Sequence, residues 1–345
     1  MERLSMAEFK KETLVNKISV CGVVKESKLR KQEGIDKVTN QKYNYINGSL
    51  VIKCGETREL EVKVFVKELY TNREGVQMEA SNYKNLINLV PNTMGETVLP
   101  TLAKVSEEEA TKVSVWGNAQ LKDNYYVGKD GNIVEIIDFD LGYGKLTLKD
   151  NSLTVNDYYA TFEVATFIYD VQPELDKEEQ ETGRAKVTAY VPTFGGKVIP
   201  LTIYAGMVVD EQGEFDFGRA ILDGVQPQDT IIFYGDINFA KTTTKVKRGG
   251  EGVRSLTSRE IYDTKTVTVR EFVATNGQIV EDYEKAFQLE DIQEAVKQRK
   301  IAMEQKKMEE ENKVKVEPKA SARDFGRPSP LVGASTSTTR KAPLF

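Results

Sequence analysis

The chain has 345 residues, 39% of them hydrophobic, and a formal net charge of −5. That length predicts about two to three domains, and a mean hydropathy of −0.44 leaves room for globular cores only beside polar extensions. No apolar run approaches the ~18 residues of a membrane-spanning helix, Met1–Lys10 lacks the apolar core of a secretion signal, and there is no histidine. Without the commonest general base and metal ligand, no catalytic residue, no metal and no cofactor is expected. Cys21 and Cys54 read as reduced, buried small hydrophobes of a cytoplasmic protein.

Residues 1–12 read as an N-terminal extension. Val15–Val24 is a β-branched strand, followed by a polar loop to Lys42 that carries Lys25, Lys28, Arg30 and Lys31. Tyr43–Cys54 and Glu59–Val66 are two further strands, the second alternating cleanly through Leu60, Val62, Val64 and Val66. Ser81–Val90 predicts a short helix capped by Ser81 and stopped before Pro91. A strand through Trp116, expected in the core, leads into a hairpin about Lys129-Asp-Gly-Asn. Three strands, a short helix and two strands is the order of a five-stranded Greek-key barrel of the OB type, here over 13–150.

The plan recurs over 157–275. Ala160–Val171, Arg184–Val191 and Lys197–Tyr204 are the first three strands, an insertion through Gly224 takes the place of the helix, and Thr230–Phe239 and Glu260–Val273 complete the set. The stretch Val113-Ser-Val-Trp-Gly-Asn-Ala-Gln120 is written again as Ile231-Ile-Phe-Tyr-Gly-Asp-Ile-Asn238. A glycine inside a strand marks a bulge or a close backbone approach, and both copies place it at the same point. Residues 281–312 form a charged helix whose apolar spacing lasts only through its first half, so that beyond Ile301 it is expected to be solvated. Residues 313–345, rich in Pro, Ser, Thr and Ala, read as a disordered tail. The predicted fold is all-β: two tandem five-stranded OB-type Greek-key barrels, a charged helix and a tail.

OB barrels bind ligands on the face of strands two and three and in the loops joining strands one to two and four to five. The loop Lys241–Arg259 carries Lys241, Lys245, Lys247, Arg248, Arg254 and Arg259 against Glu251 alone, and its glycines let it follow a phosphate backbone. Flat rings for base stacking are offered by Tyr43, Tyr45 and Tyr190. Glu135, Asp138 and Asp140 alternate along a strand rather than forming a catalytic set. Gly142-Tyr-Gly144 and Gly195-Gly196 are turns, and neither opens a helix as a phosphate cradle does.

Lys112-Val-Ser-Val-Trp-Gly-Asn-Ala-Gln, followed by Tyr126-Val-Gly-Lys-Asp-Gly-Asn-Ile, resembles the fourth strand and hairpin of OB-fold single-stranded DNA-binding proteins of the bacteriophage replication type. The resemblance implies a non-enzymatic binder of single-stranded DNA with little sequence preference, acting in replication or recombination. It also implies a partner-docking role for the terminal Pro343, Leu344 and Phe345. Bacterial single-strand binders end in an acidic tail, whereas Arg340-Lys341 stands before this terminus. Two other readings of the same barrels are a structural or assembly protein that uses them for protein contacts, and an RNA-binding adaptor. A membrane partner is not expected.

Overall fold

A computed structural model describes residues 9–37, 40–72, 74–128, 130–211, 213–247 and 262–316. The first half contains β1 (Asn16–Ser27), β2 (Arg30–Ile35), β3 (Lys42–Lys53), β4 (Glu59–Lys67), the small hairpin β5 (Leu69–Thr71) and β6 (Gln77–Glu79), α1 (Ser81–Ile87), β7 (Lys112–Trp116), β8 (Gln120–Val127), β9 (Ile133–Asp140) and β10 (Lys145–Lys149). The second half contains β11 (Tyr159–Leu175), β12 (Glu181–Thr193), β13 (Lys197–Ala205), the hairpin β14 (Met207–Asp210) and β15 (Gly213–Asp216), α2 (Phe217–Gly224), β16 (Thr230–Lys247) and β17 (Tyr262–Ile279), and α3 (Leu289–Val316) follows.

Each half closes as an OB-type barrel. In the first, β1 pairs with β3, β3 with β4, β4 runs parallel to β9, β9 pairs with β8, and β7 returns to β1. In the second, β11, β12 and β13 follow in order, β13 runs parallel to β17, and β16 joins β17 to β11. Alternation explains the interior: Leu60, Val62, Val64 and Val66 of β4 are buried while the residues between them face out.

The barrels are fused rather than strung. β1 pairs antiparallel with β11 through Ile18 and Phe162, and each first strand receives its fourth in the same register, Val20 opposite Val115 and Val164 opposite Phe233. The repeated stretch therefore occupies equivalent ladders on either side of an internal two-fold. Its glycines meet different demands. Gly117 has φ +83 and breaks the fourth strand before it resumes as β8. Gly235 sits where a Cβ would lie 2.0 Å from the Val273 carbonyl oxygen, at a register shift in the β16–β17 ladder. Phe139 of β9 meets Phe239 at 5.1 Å, and Phe239 meets Phe272 at 5.6 Å, so one apolar core runs through both barrels.

Four local expectations are corrected. Residues 217–224, expected as an insertion, form α2, whose first turn is capped by Asp216 accepting from Arg219 N–H at 2.9 Å. Ser81 lies inside α1, whose N-cap is Ala80. The polar loop after β1 is largely strand, since β2 pairs with β3 from Arg30–Asn47 to Ile35–Lys42. The C-terminal helix starts at Leu289, not 281, and its later part is not purely solvated: the Lys306 ammonium donates to the Tyr125 carbonyl and sits 4.8 Å over the Tyr125 ring.

Candidate nucleic-acid interface

The outward face of β3 and β4 carries an aromatic ladder. With Ile46 and Val66 turned into the core, alternation sends Tyr43, Tyr45, Phe65 and Lys67 outward. Tyr43 and Tyr45 stand 5.6 Å apart, Tyr45 and Phe65 5.2 Å, and the Lys67 ammonium lies 4.3 Å over Tyr43. Phe65 is 51% exposed, on a strand whose inner face is wholly aliphatic. A cleft of about 1630 Å³ opens beside the ladder, lined also by Leu69 and Tyr70 of the β5–β6 hairpin, by Asn82 of α1 and by the turn through Tyr143.

The electrostatics of the cleft are balanced. Lys42, Lys67, Lys122 and Lys145 line it together with Glu33, Asp36, Glu68 and Asp140, and Lys122 pairs with Asp140 at 3.3 Å. Farther along β3 and β4, the Ser49 hydroxyl donates to Glu61 at 2.6 Å and holds that carboxyl below its ordinary 4.5, against burial and with help from Lys63 and Lys28. Rings rather than net positive charge distinguish this surface.

Of the residues expected at the site, the structure brings Tyr43 and Tyr45 together. It uses Lys25 and Lys28 differently: Lys25 is paired with Glu59, and Lys28 lies 3.7 Å from Glu26 and 3.9 Å from Glu61. Arg30 and Lys31 are exposed on β2, without an ion pair among the described residues. Tyr190 is not an open platform. It packs beneath α3 in a cluster with Phe167, Val198, Phe287, Ile292 and Ala295, meets Tyr169 at 5.9 Å, and has its hydroxyl pKa pushed up by burial. The backbone of Lys241, Lys245 and Lys247 belongs to β16, so this basic segment begins as the arm of a long hairpin rather than as a loop. Their side chains, together with Arg248, Arg254, Arg259, Pro343, Leu344 and Phe345, lie outside the described residues.

The second barrel carries no matching ladder among the described residues. Its β12–β13 face presents Tyr204 beneath the Arg184 guanidinium at 4.6 Å, and Arg184 is tied to Glu271 at 3.1 Å and Glu174 at 3.4 Å. The carboxylates that looked like a cluster are each engaged: Glu135 with Arg299 at 2.7 Å, Asp138 with Asn124 at 2.8 Å, and Asp140 with Lys122. Among the exposed rings that sequence reasoning missed are Trp116, Tyr70 and Tyr143. Trp116, expected in the core, is 41% exposed at the end of β7 with the Lys145 ammonium 5.0 Å over its ring. Alternation alone did not give this exposure: Trp116 is out of phase with the inward Val113 and Val115, but Lys112 and Ser114, which share its phase, are buried.

Two OB-type barrels fused through their first strands, the first with an aromatic ladder on its outer face, define a tandem OB-fold protein. The chain belongs to the YorF family, whose model matches residues 15–310. No curated protein matches it. Among solved structures it is similar to the single-stranded DNA-binding protein from Thermus aquaticus. A deletion variant of that protein matches at 10% identity and a TM-score of 0.35, covering 78% of this chain and 96% of the other. The wild-type protein matches at 8% identity and the same TM-score, covering 77% and 93%.

Proposed function

We propose that the protein binds single-stranded DNA with little sequence preference, through the first barrel, and catalyses no reaction. The observation that carries this reading is the Tyr43–Tyr45–Phe65 ladder, two half-buried tyrosines and an exposed phenylalanine on the face where OB barrels take extended ligands. Every base has a π-face, so stacking on such rings holds a strand without reading its sequence. The basic end of the β16–β17 hairpin supplies phosphate contacts, and the C-terminal Pro343-Leu344-Phe345 recruits replication or recombination proteins in the cytoplasm, the host's if the protein is viral.

Fluorescence anisotropy of labelled oligo-dT, oligo-rU and duplex DNA tests the reading. Oligo-dT is expected to bind, duplex to bind poorly, and Tyr43→Ala with Tyr45→Ala to weaken the single-strand complex. Failure of oligo-dT to bind at low salt sinks it, and a preference for oligo-rU moves it to RNA, where the 2′-hydroxyl is the distinguishing group.

A further inference from the structure

The cleft has a second aromatic wall, built with more care than an exposed side chain needs. Tyr143 is 92% exposed at the tip of a turn between Gly142, at φ +48, and Gly144. That turn is pinned to α1. Asn82 donates to the Gly144 carbonyl at 2.8 Å and accepts from the Leu146 N–H at 2.9 Å, while Asn85 donates to the Leu146 carbonyl at 2.7 Å. Gly144 also sits so close to Ala119 that a Cβ there would lie 2.6 Å from its nitrogen. The backbone on either side of the ring is therefore fixed in advance, which leaves only the side chain to be ordered when a ligand stacks on it.

Lys145, the next cleft residue, reaches over the Trp116 ring. Beyond Trp116, Gly117 and Asn118 line a groove of about 510 Å³ that crosses the internal two-fold to Tyr234 and Gly235, the matching positions of the second barrel. Lys145, which lines the cleft and covers Trp116, and Gly117, which follows Trp116 and lines the groove, thus place Trp116 between the cleft and the seam of the barrels.

We propose that Tyr143 and Trp116 are base-stacking residues, and that a strand bound on the ladder leaves the first barrel over the β7–β10 edge toward this seam. The proposal rests on the single-strand reading above and extends it to residues outside the strand two and three face.

The chain contains one tryptophan, so its emission reports Trp116 alone. Oligo-dT is titrated while anisotropy of the labelled oligomer and tryptophan emission are recorded together. Emission is expected to fall with the same midpoint as the anisotropy rise. Tyr143→Ala is expected to weaken binding about 5- to 150-fold, the effect of losing one base–ring stack, while Tyr143→Phe retains it. Phe194→Ala, removing a ring 80% exposed on the second barrel, leaves affinity unchanged. Tight binding with unchanged emission and a wild-type Tyr143→Ala overturns the proposal and leaves the ladder reading standing. Absence of binding overturns both.

Discussion

At the scale of single residues, the two motif glycines look interchangeable in the sequence and differ in the structure. An alanine at 235 would drive its Cβ into the Val273 carbonyl, and the obstructing atoms are backbone. Gly235→Ala is therefore expected to cost about 3 kcal/mol, the upper end of overpacking. Gly117→Ala meets nothing closer than 4.0 Å and carries only the strain of a left-handed residue, about 1–2 kcal/mol. Denaturant titration of both variants checks the order, and equal losses would contradict it. Ser49 offers a pH-dependent case. Because its hydrogen bond lowers the Glu61 pKa, the stability it contributes is present above the unfolded carboxyl value near 4.5 and is lost as pH falls through the folded value. Ser49→Ala is expected to be less stable than wild type at neutral pH and to converge with it in acid, with the Glu61 titration moving up in a carboxyl NMR experiment. Tyr43 and Tyr45 could be found from sequence because they share a strand face. Phe65 was equally legible, as it falls on the charged face of the β4 alternation, but an aromatic in a strand is more often core.

At the scale of elements, the strand order and its repetition were legible because hydrophobic alternation is a local signal. The role of α3 was not, because its partners are distant in sequence and polar. Its first part buries Ile292 and Ala295 against the second barrel, beside Phe287 of the segment that precedes it. Its middle then reaches the first barrel: Arg299 makes two hydrogen bonds to Asp123, at 2.8 and 2.9 Å, and one to Glu135 at 2.7 Å, with its side chain 13% exposed. Burial works against the charged guanidinium, but these bonds outweigh it and raise its pKa. The helix is thus a strap over both barrels that pins the β8–β9 hairpin. Arg299→Ala is expected to cost about 1.5–3 kcal/mol, the range for hydrogen bonds to charged groups, and to raise hydrogen exchange in β8 and β9 while sparing the helix start at Leu289. Uniform loss of protection along α3 would instead mean that the helix docks as one unit. The same strap explains why Tyr190 fails as a platform: the ring that looked available on β12 is the floor on which α3 rests.

At the scale of the whole molecule, the internal two-fold duplicates the backbone but not the chemistry. The first barrel carries its ring ladder beside a cleft of balanced charge, and the second keeps Tyr204 under a doubly paired arginine and carries the basic segment that begins in β16. The net charge of −5 hides this asymmetry, but the run from Lys241 to Arg259, six positive residues against Glu251 alone, shows it in the sequence. If stacking resides in the first barrel and phosphate contact in the second barrel's hairpin, the two contributions separate by their response to salt. Each neutralised phosphate on a single strand adds about 0.7 to the slope of log affinity against log salt. Changing Lys245, Lys247 and Arg248 together to Ala is expected to reduce that slope by up to about 2, while leaving tryptophan quenching at saturation intact. Tyr45→Ala is expected to lower affinity by a similar factor at every salt concentration and leave the slope as it was. Anisotropy titrations of oligo-dT over a range of salt concentrations measure both. A triple variant with an unchanged slope would remove the hairpin from the binding path, and a Tyr45→Ala variant with a reduced slope would mean that the ladder and the phosphate contacts form a single coupled site.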